Sequence, residues 1–165
     1  MRVVTRASAK APPAHAMAGL RKRALSVPPG EVGITPVADE PFAVVMDIGF
    51  PQAVVTLAAF SSGEASLYFS NGGGIVGGST HEPVRKAAIA FVHDAARFTG
   101  QMQPAADYPS ASAGNVIFYV RTSGKVLKAE APEAELASGK HALAPLYLAA
   151  QNVITQLRLT SKPRK

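Results

Sequence analysis

The sequence predicts one α+β domain built on a mainly antiparallel five-stranded sheet, with elements in the order βββ-α-ββ-α and two helices on one face. Three observations predict it: five short apolar or alternating segments, two Ser-Gly turns between such segments, and two longer segments with helical periodicity. The length of 165 residues fits one domain, and a hydrophobic fraction of 47% is enough for one core.

The first three strands form a predicted meander. They cover residues 42–48, 53–60 and 64–70, which are short and rich in apolar or β-branched residues. Ser62 and Gly63 lie between the second and third strands as a two-residue hairpin signal.

The last two strands are predicted at residues 115–121 and 125–130, joined by a second turn at Ser123 and Gly124. The fourth strand is apolar on both faces, whereas a sheet covered on one side alternates apolar with polar residues. Something is therefore expected to cover its second face. The charged residues of the fifth strand predict a solvated edge.

Two helices are predicted at residues 83–98 and 145–158, where apolar residues recur at helical spacing. Proline is favoured in the first helical turn, so Pro83 is expected near the start of the first helix. Phe91 lies in the middle of the apolar stripe and is a predicted core residue.

Basic charge is concentrated at the two ends of the chain. Residues 1–30 contain six basic and no acidic residues, and residues 158–165 contain four basic and none acidic. We predict a basic, disordered arm over 1–30, a single domain over 31–158 and a basic tail over 159–165. A short helix over 17–26 is the alternative, although its apolar residues are sparse.

The composition limits the classes of partner and compartment. Basic ends can bind nucleic acid by counterion release, so any such binding is expected only through the tails. No apolar run is long enough to span a membrane, and the chain has no cysteine for a disulfide or a thiolate. A cytoplasmic location is expected, although residues 1–30 also fit an organellar transit peptide.

A glycine-rich segment, 71–78, precedes the first predicted helix and contains five glycines in eight residues. Backbone amides at a helix N-terminus can hold an anion, which makes this loop a candidate ligand site. The candidate residues are Gly77, Gly78, Ser79, His81 and Arg85. The favoured alternative is a flexible connection, or a short extra hairpin that uses residues 75–76.

No catalytic, metal or cofactor site is predicted. Ser79 and His81 could act as nucleophile and base, with Asp47 or Asp94 orienting the histidine. They do not form a G-x-S-x-G elbow, however, and helix capping is favoured. The four histidines are too scattered to bind a metal together. Asp47 interrupts an apolar strand. It could be a site residue, but the favoured interpretation is that it ends the strand by capping the turn at Gly49.

The predicted function is a non-catalytic binding or protein-interaction module. The alternative is a small ligand-binding domain or enzyme that uses the glycine-rich loop at 71–81. The candidate interface residues are Tyr68, Ile117 and Tyr119, covered by a partner, by a second copy in a homodimer, or by residues 20–27. The element order is loosely similar to profilin-like and roadblock-like domains, and this resemblance implies partner binding at fold level only.

Overall fold

A computed structural model describes residues 2–3, 14–76 and 80–161. Its strands are β1 (Arg2–Val3), β2 (Pro41–Gly49), β3 (Val54–Phe60), β4 (Ala65–Phe69), β5 (Gly74–Val76), β6 (Gln103–Pro104), β7 (Asn115–Thr122) and β8 (Lys125–Pro132). Its α-helices are α1 (Ala14–Ser26), α2 (Glu82–Ala95), α3 (Glu133–Ala137) and α4 (Ala144–Ser161). Short 3-10 helices lie at Pro29–Val32 and Ala96–Gln101.

The described strands form one antiparallel sheet in the order β1-β5-β4-β3-β2-β7-β8-β6. The α+β class, the antiparallel sheet and the five longer strands were predicted. The number of strands was predicted too low, because β1, β5 and β6 have only two or three residues each and show no alternation. A short extra hairpin was one of the two favoured alternatives for the glycine-rich segment, and β5 forms it by pairing with β4.

Helices lie on both faces of the sheet, which corrects the prediction of two helices on one face. The two predicted helices, α2 and α4, do share a face and pack against each other. α3 was missed because five residues are too few to show helical periodicity. α1 lies on the opposite face, so the prediction of disorder over 1–30 is wrong for residues 14–26.

The larger core lies between the sheet and the pair α2 and α4. Its most central side chains are fully buried and come from the helices and from alternate positions of the strands. They include Met46, Leu57, Phe91, Phe118 and Leu146. Pro83 is the second residue of α2, as its preference for the first helical turn predicts.

The smaller core lies between the sheet and α1. Met17, Ala24 and Leu25 of α1 are buried against the other alternate set of strand positions, among them Ile117 and Tyr119. α1 is thus the cover that the doubly apolar β7 requires, and it comes from the same chain.

Replacement of Phe91 by alanine should lower the free energy of unfolding by about 3–5 kcal/mol, because the ring is fully buried in the larger core. Chemical denaturation measures this loss. His93→Ala, at an exposed position of the same helix, is the matched control and should change little. A loss below about 1 kcal/mol for Phe91→Ala would contradict this packing of α2.

Candidate functional site

The glycine-rich loop is not assembled into a site by the described residues. Gly77, Gly78 and Ser79 lie outside the part of the chain that the structure describes. His81 occupies the N-cap position of α2 without a side-chain cap hydrogen bond. Arg85 is exposed and pairs with Glu82 at 3.7 Å between Nη1 and Oε1, so its charge already has a partner.

Asp47 lies within β2 and does not end the strand, which corrects its interpretation as a turn residue. It pairs with Thr56 of β3 and Ile117 of β7, and β2 continues to Gly49. Its carboxylate faces α1, whereas α2 packs on the other face of the sheet. Asp47 and His81 therefore do not form a common site.

The Asp47 carboxylate is fully buried and holds α1 on the sheet. Arg21 of α1 donates to it from Nε, at 3.1 and 3.2 Å to the two oxygens, and from Nη2 at 2.7 Å. Thr56 donates its hydroxyl to the same carboxylate at 2.6 Å. We call these three residues the α1 anchor. A buried carboxylate with a forked arginine partner fixes both the position and the rotation of the helix.

The loop between β6 and β7 is held beside the α1 anchor. Tyr119 donates its hydroxyl to the carbonyl of Pro109 at 2.5 Å, and Arg21 donates to that carbonyl at 3.2 Å. The Tyr108 ring packs edge-on against the Tyr119 ring. Burial raises the pKa of Tyr119 to about 12, so the phenol stays a neutral donor.

A small cavity of about 180 Å³ opens beside the α1 anchor. Hydroxyl groups line much of it, from Thr56, Tyr68, Ser70 and Ser110. Arg21 also lines it, but Asp47 already neutralises that charge. The cavity therefore offers hydrogen-bonding groups without an uncompensated charge.

The three candidate interface residues all belong to the smaller core. Tyr68, Ile117 and Tyr119 are 8%, 2% and 0% exposed. Their burial against α1 removes the reason for expecting a second chain on this face. Among the covers considered from the sequence, it is the N-terminal segment that occupies the face.

A larger groove lies where the C-terminal end of α1 meets the turn between β7 and β8. It is open to solvent and has a volume of about 660 Å³. We call it the hairpin groove. Its lining residues include Leu25, Phe42, Tyr108, Arg121, Lys125 and Val126.

Arg121 is the unusual residue of the hairpin groove. It is 8% exposed, and its guanidinium stacks 4.7 Å from the centre of the Phe42 ring. Nη1 donates to the carbonyl of Ala24 in the last turn of α1 at 3.1 Å. Burial lowers the pKa of this guanidinium from its usual value, because a low-dielectric environment disfavours the cation.

The charge of Arg121 has no acidic partner among residues 14–76 and 80–161. Lys125 also lines the hairpin groove, and no carboxylate of the described residues does. This arrangement favours an anion, since a guanidinium presents five N–H donors and only one of those hydrogen bonds is accounted for here.

Arg121 was not among the site residues predicted from the sequence. The available signal was an arginine at the end of a strand that is otherwise apolar on both faces. The absence of a counter-ion depends on which residues surround it in the fold, and sequence spacing does not carry that information.

Comparison with protein-family models, with curated proteins and with solved structures found no match. None of the described helices has the length and apolar character needed to cross a membrane. The described residues also contain no group of three or more His, Cys, Asp or Glu that could hold a metal ion.

Replacement of Arg21 by methionine should lower the free energy of unfolding by about 3 kcal/mol, because Asp47 is left buried without its counter-ion. Adding Asp47→Leu should recover much of that loss, since an apolar pair needs no compensation. Urea denaturation of the single and double variants measures both effects.

The matched control is Arg23→Met on the same helix. Arg23 pairs with Glu31 at 3.2 Å, but both side chains are more than half exposed, so the loss should stay below about 1 kcal/mol. Equal losses for Arg21→Met and Arg23→Met would contradict the anchoring role of Asp47.

Tyr119 should make stability fall with rising alkaline pH. Its pKa is about 12 in the folded chain and near 10.0 when unfolded, so the unfolded chain releases the proton first. Tyr119 therefore makes its full contribution to the free energy of unfolding below pH 10.0. This contribution is lost as the pH rises through about 12. Tyr119→Phe should show a shallower decline in urea-denaturation series across this window. Parallel curves for the two proteins would contradict the raised pKa.

Proposed function

We propose that this chain is a non-catalytic binding module whose hairpin groove holds an acidic segment of a partner protein, with Arg121 bound to a carboxylate. The observation that carries the proposal is the buried Arg121 guanidinium without an acidic partner among the described residues. A largely buried cation has lost part of its hydration, so an incoming carboxylate gains more here than at an exposed arginine.

The orientation of Arg121 suits this role. Stacking on Phe42 and the hydrogen bond to Ala24 hold the planar group in one position. A guanidinium that is already ordered loses little entropy when it binds a carboxylate through two parallel hydrogen bonds. Lys125 extends the positive potential along the groove.

The walls of the hairpin groove favour a protein segment. Leu25, Pro29, Phe42 and Val126 contribute apolar surface beside the cation, and Tyr108 is 37% exposed. A carboxylate next to an apolar or aromatic side chain would match this mixture. A nucleic acid would instead be expected to use a longer track of cations with several stacking aromatics, which this groove lacks.

The alternative function, a ligand-binding domain or enzyme that uses the loop at 71–81, has less support. The glycine and serine residues proposed for it lie outside the described residues. Arg85 is paired with Glu82, and Asp47 lies on the opposite face of the sheet from α2. No described contact brings these groups together.

A short peptide with alternating Glu and Phe tests the proposal, and the same peptide with Gln in place of Glu is the reference. Both are acetylated, amidated and fluorescently labelled, so that only side chains differ. Fluorescence anisotropy should show tighter binding of the Glu peptide, weakened by added salt. Arg121→Gln should reduce that affinity by about tenfold or more, because the buried charge contact is lost.

The matched control is Lys86→Gln, which removes an exposed cation from α2 and should leave binding unchanged. Lys125→Glu reverses an exposed charge of the groove and should weaken binding even if Arg121→Gln proves unstable. Equal affinity for the two peptides would overturn the proposal. So would a single-stranded oligonucleotide that binds more tightly than the Glu peptide and depends on Arg121.

A further inference from the structure

The outer face of α4 differs from that of its neighbour α2. The exposed residues of α2 include Glu82, Arg85 and Lys86, as is usual for a solvated helix. Charge is almost absent from the exposed face of α4, which carries only Arg158. Leu148 and Leu159 on that face are 72% and 54% exposed.

These exposed residues of α4 form one stripe. Leu148, Asn152, Thr155 and Leu159 are separated by four, three and four positions, which places them along one side of the helix. The two leucines are eleven residues apart, so they are nearly aligned and about 16 Å apart along the helix axis. We call these four residues the α4 stripe.

The spacing of the α4 stripe is symmetric about its centre. Its centre lies between Asn152 and Thr155, with a leucine at the same distance on either side. Two half-buried glutamines, Gln151 and Gln156, flank that centre symmetrically as well. A two-fold axis through the centre would therefore place similar residues opposite each other in two antiparallel helices.

We propose that the α4 stripe is a homodimer interface, in which a second copy of this chain packs its own α4 antiparallel across a two-fold axis. Leu148 then packs against Leu159 of the partner subunit, and Asn152 lies opposite Thr155 of the partner subunit. The lone charge does not oppose the pairing, because Arg158 faces Ala149 of the partner subunit. This proposal is independent of the hairpin groove, which lies at the end of α1 on the other face of the sheet.

A second copy fits the α4 stripe better than an unrelated chain would, because the stripe is complementary to itself. The pairing buries a leucine contact at each end and brings amide and hydroxyl groups together at the centre. Two-fold dimers are the commonest assemblies, and they place one patch against its own copy. A contact confined to one helix predicts a reversible dimer rather than a permanent one.

Sedimentation of the full chain over a concentration series tests the interface. The wild type should change from monomer to dimer in the micromolar range. Leu148→Glu and Leu159→Lys should each shift the equilibrium toward monomer without unfolding the chain, because both side chains are exposed. Val37→Glu is the matched control, since Val37 is 58% exposed and lies far from α4 in sequence.

The direction of pairing has its own test. A chain with both Leu148→Glu and Leu159→Lys should regain dimer formation, because antiparallel helices place each introduced carboxylate opposite an introduced ammonium. The chain has no cysteine, so a mixture of Asn152→Cys and Thr155→Cys chains should form a mixed disulfide faster than either chain alone. A monomeric wild type, a dimer unaffected by the single variants, or no recovery in the double variant would overturn the proposal.

Discussion

Two neighbouring inner strands of the sheet, β2 and β7, are apolar along most of both faces, so each face requires a cover. On one face α2 and α4 provide it through the larger core. On the other face a single helix, α1, covers the strands together with the loop before β7. Because α1 has few large apolar residues, its position depends heavily on the ion pair between Arg21 and Asp47. Loss of Arg21 alone would leave Asp47 buried without a counter-ion and would weaken the packing of α1 on the smaller core.

Most of the sheet was predictable because alternation and turn chemistry are local properties of the sequence. The segments at 42–48 and 115–121 lie inside β2 and β7 for this reason. The sequence of α1 looked disordered because basic charge dominates residues 1–30. Its connection to the fold depends on Arg21 meeting Asp47, a contact between residues 26 positions apart. The doubly apolar fourth strand was the available signal that a cover existed.

The candidate site was less predictable than the fold. The glycine-rich loop attracted attention because glycine and helix N-termini have recognisable spacing, but its candidate residues Gly77, Gly78 and Ser79 lie outside the described ranges. Arg121 has no motif at all. Its significance depends on the Phe42 ring, the end of α1 and the lack of a nearby carboxylate in the described chain, which only the fold brings together. Whether a buried charge has a partner depends on the residues that surround it in the fold. A motif, in contrast, depends only on the spacing of residues along the sequence.

The two proposed binding surfaces lie on opposite faces of one sheet, and this arrangement has a consequence for affinity. Pairing through α4 leaves the hairpin groove of each subunit uncovered, because the groove lies at the α1 side. A dimer would therefore present two grooves at a fixed separation. A partner with two acidic segments could occupy both, and the second contact would form within one complex at a high effective concentration. Modest affinity at a single Arg121 would then suffice for tight binding to a partner whose two segments span the dimer.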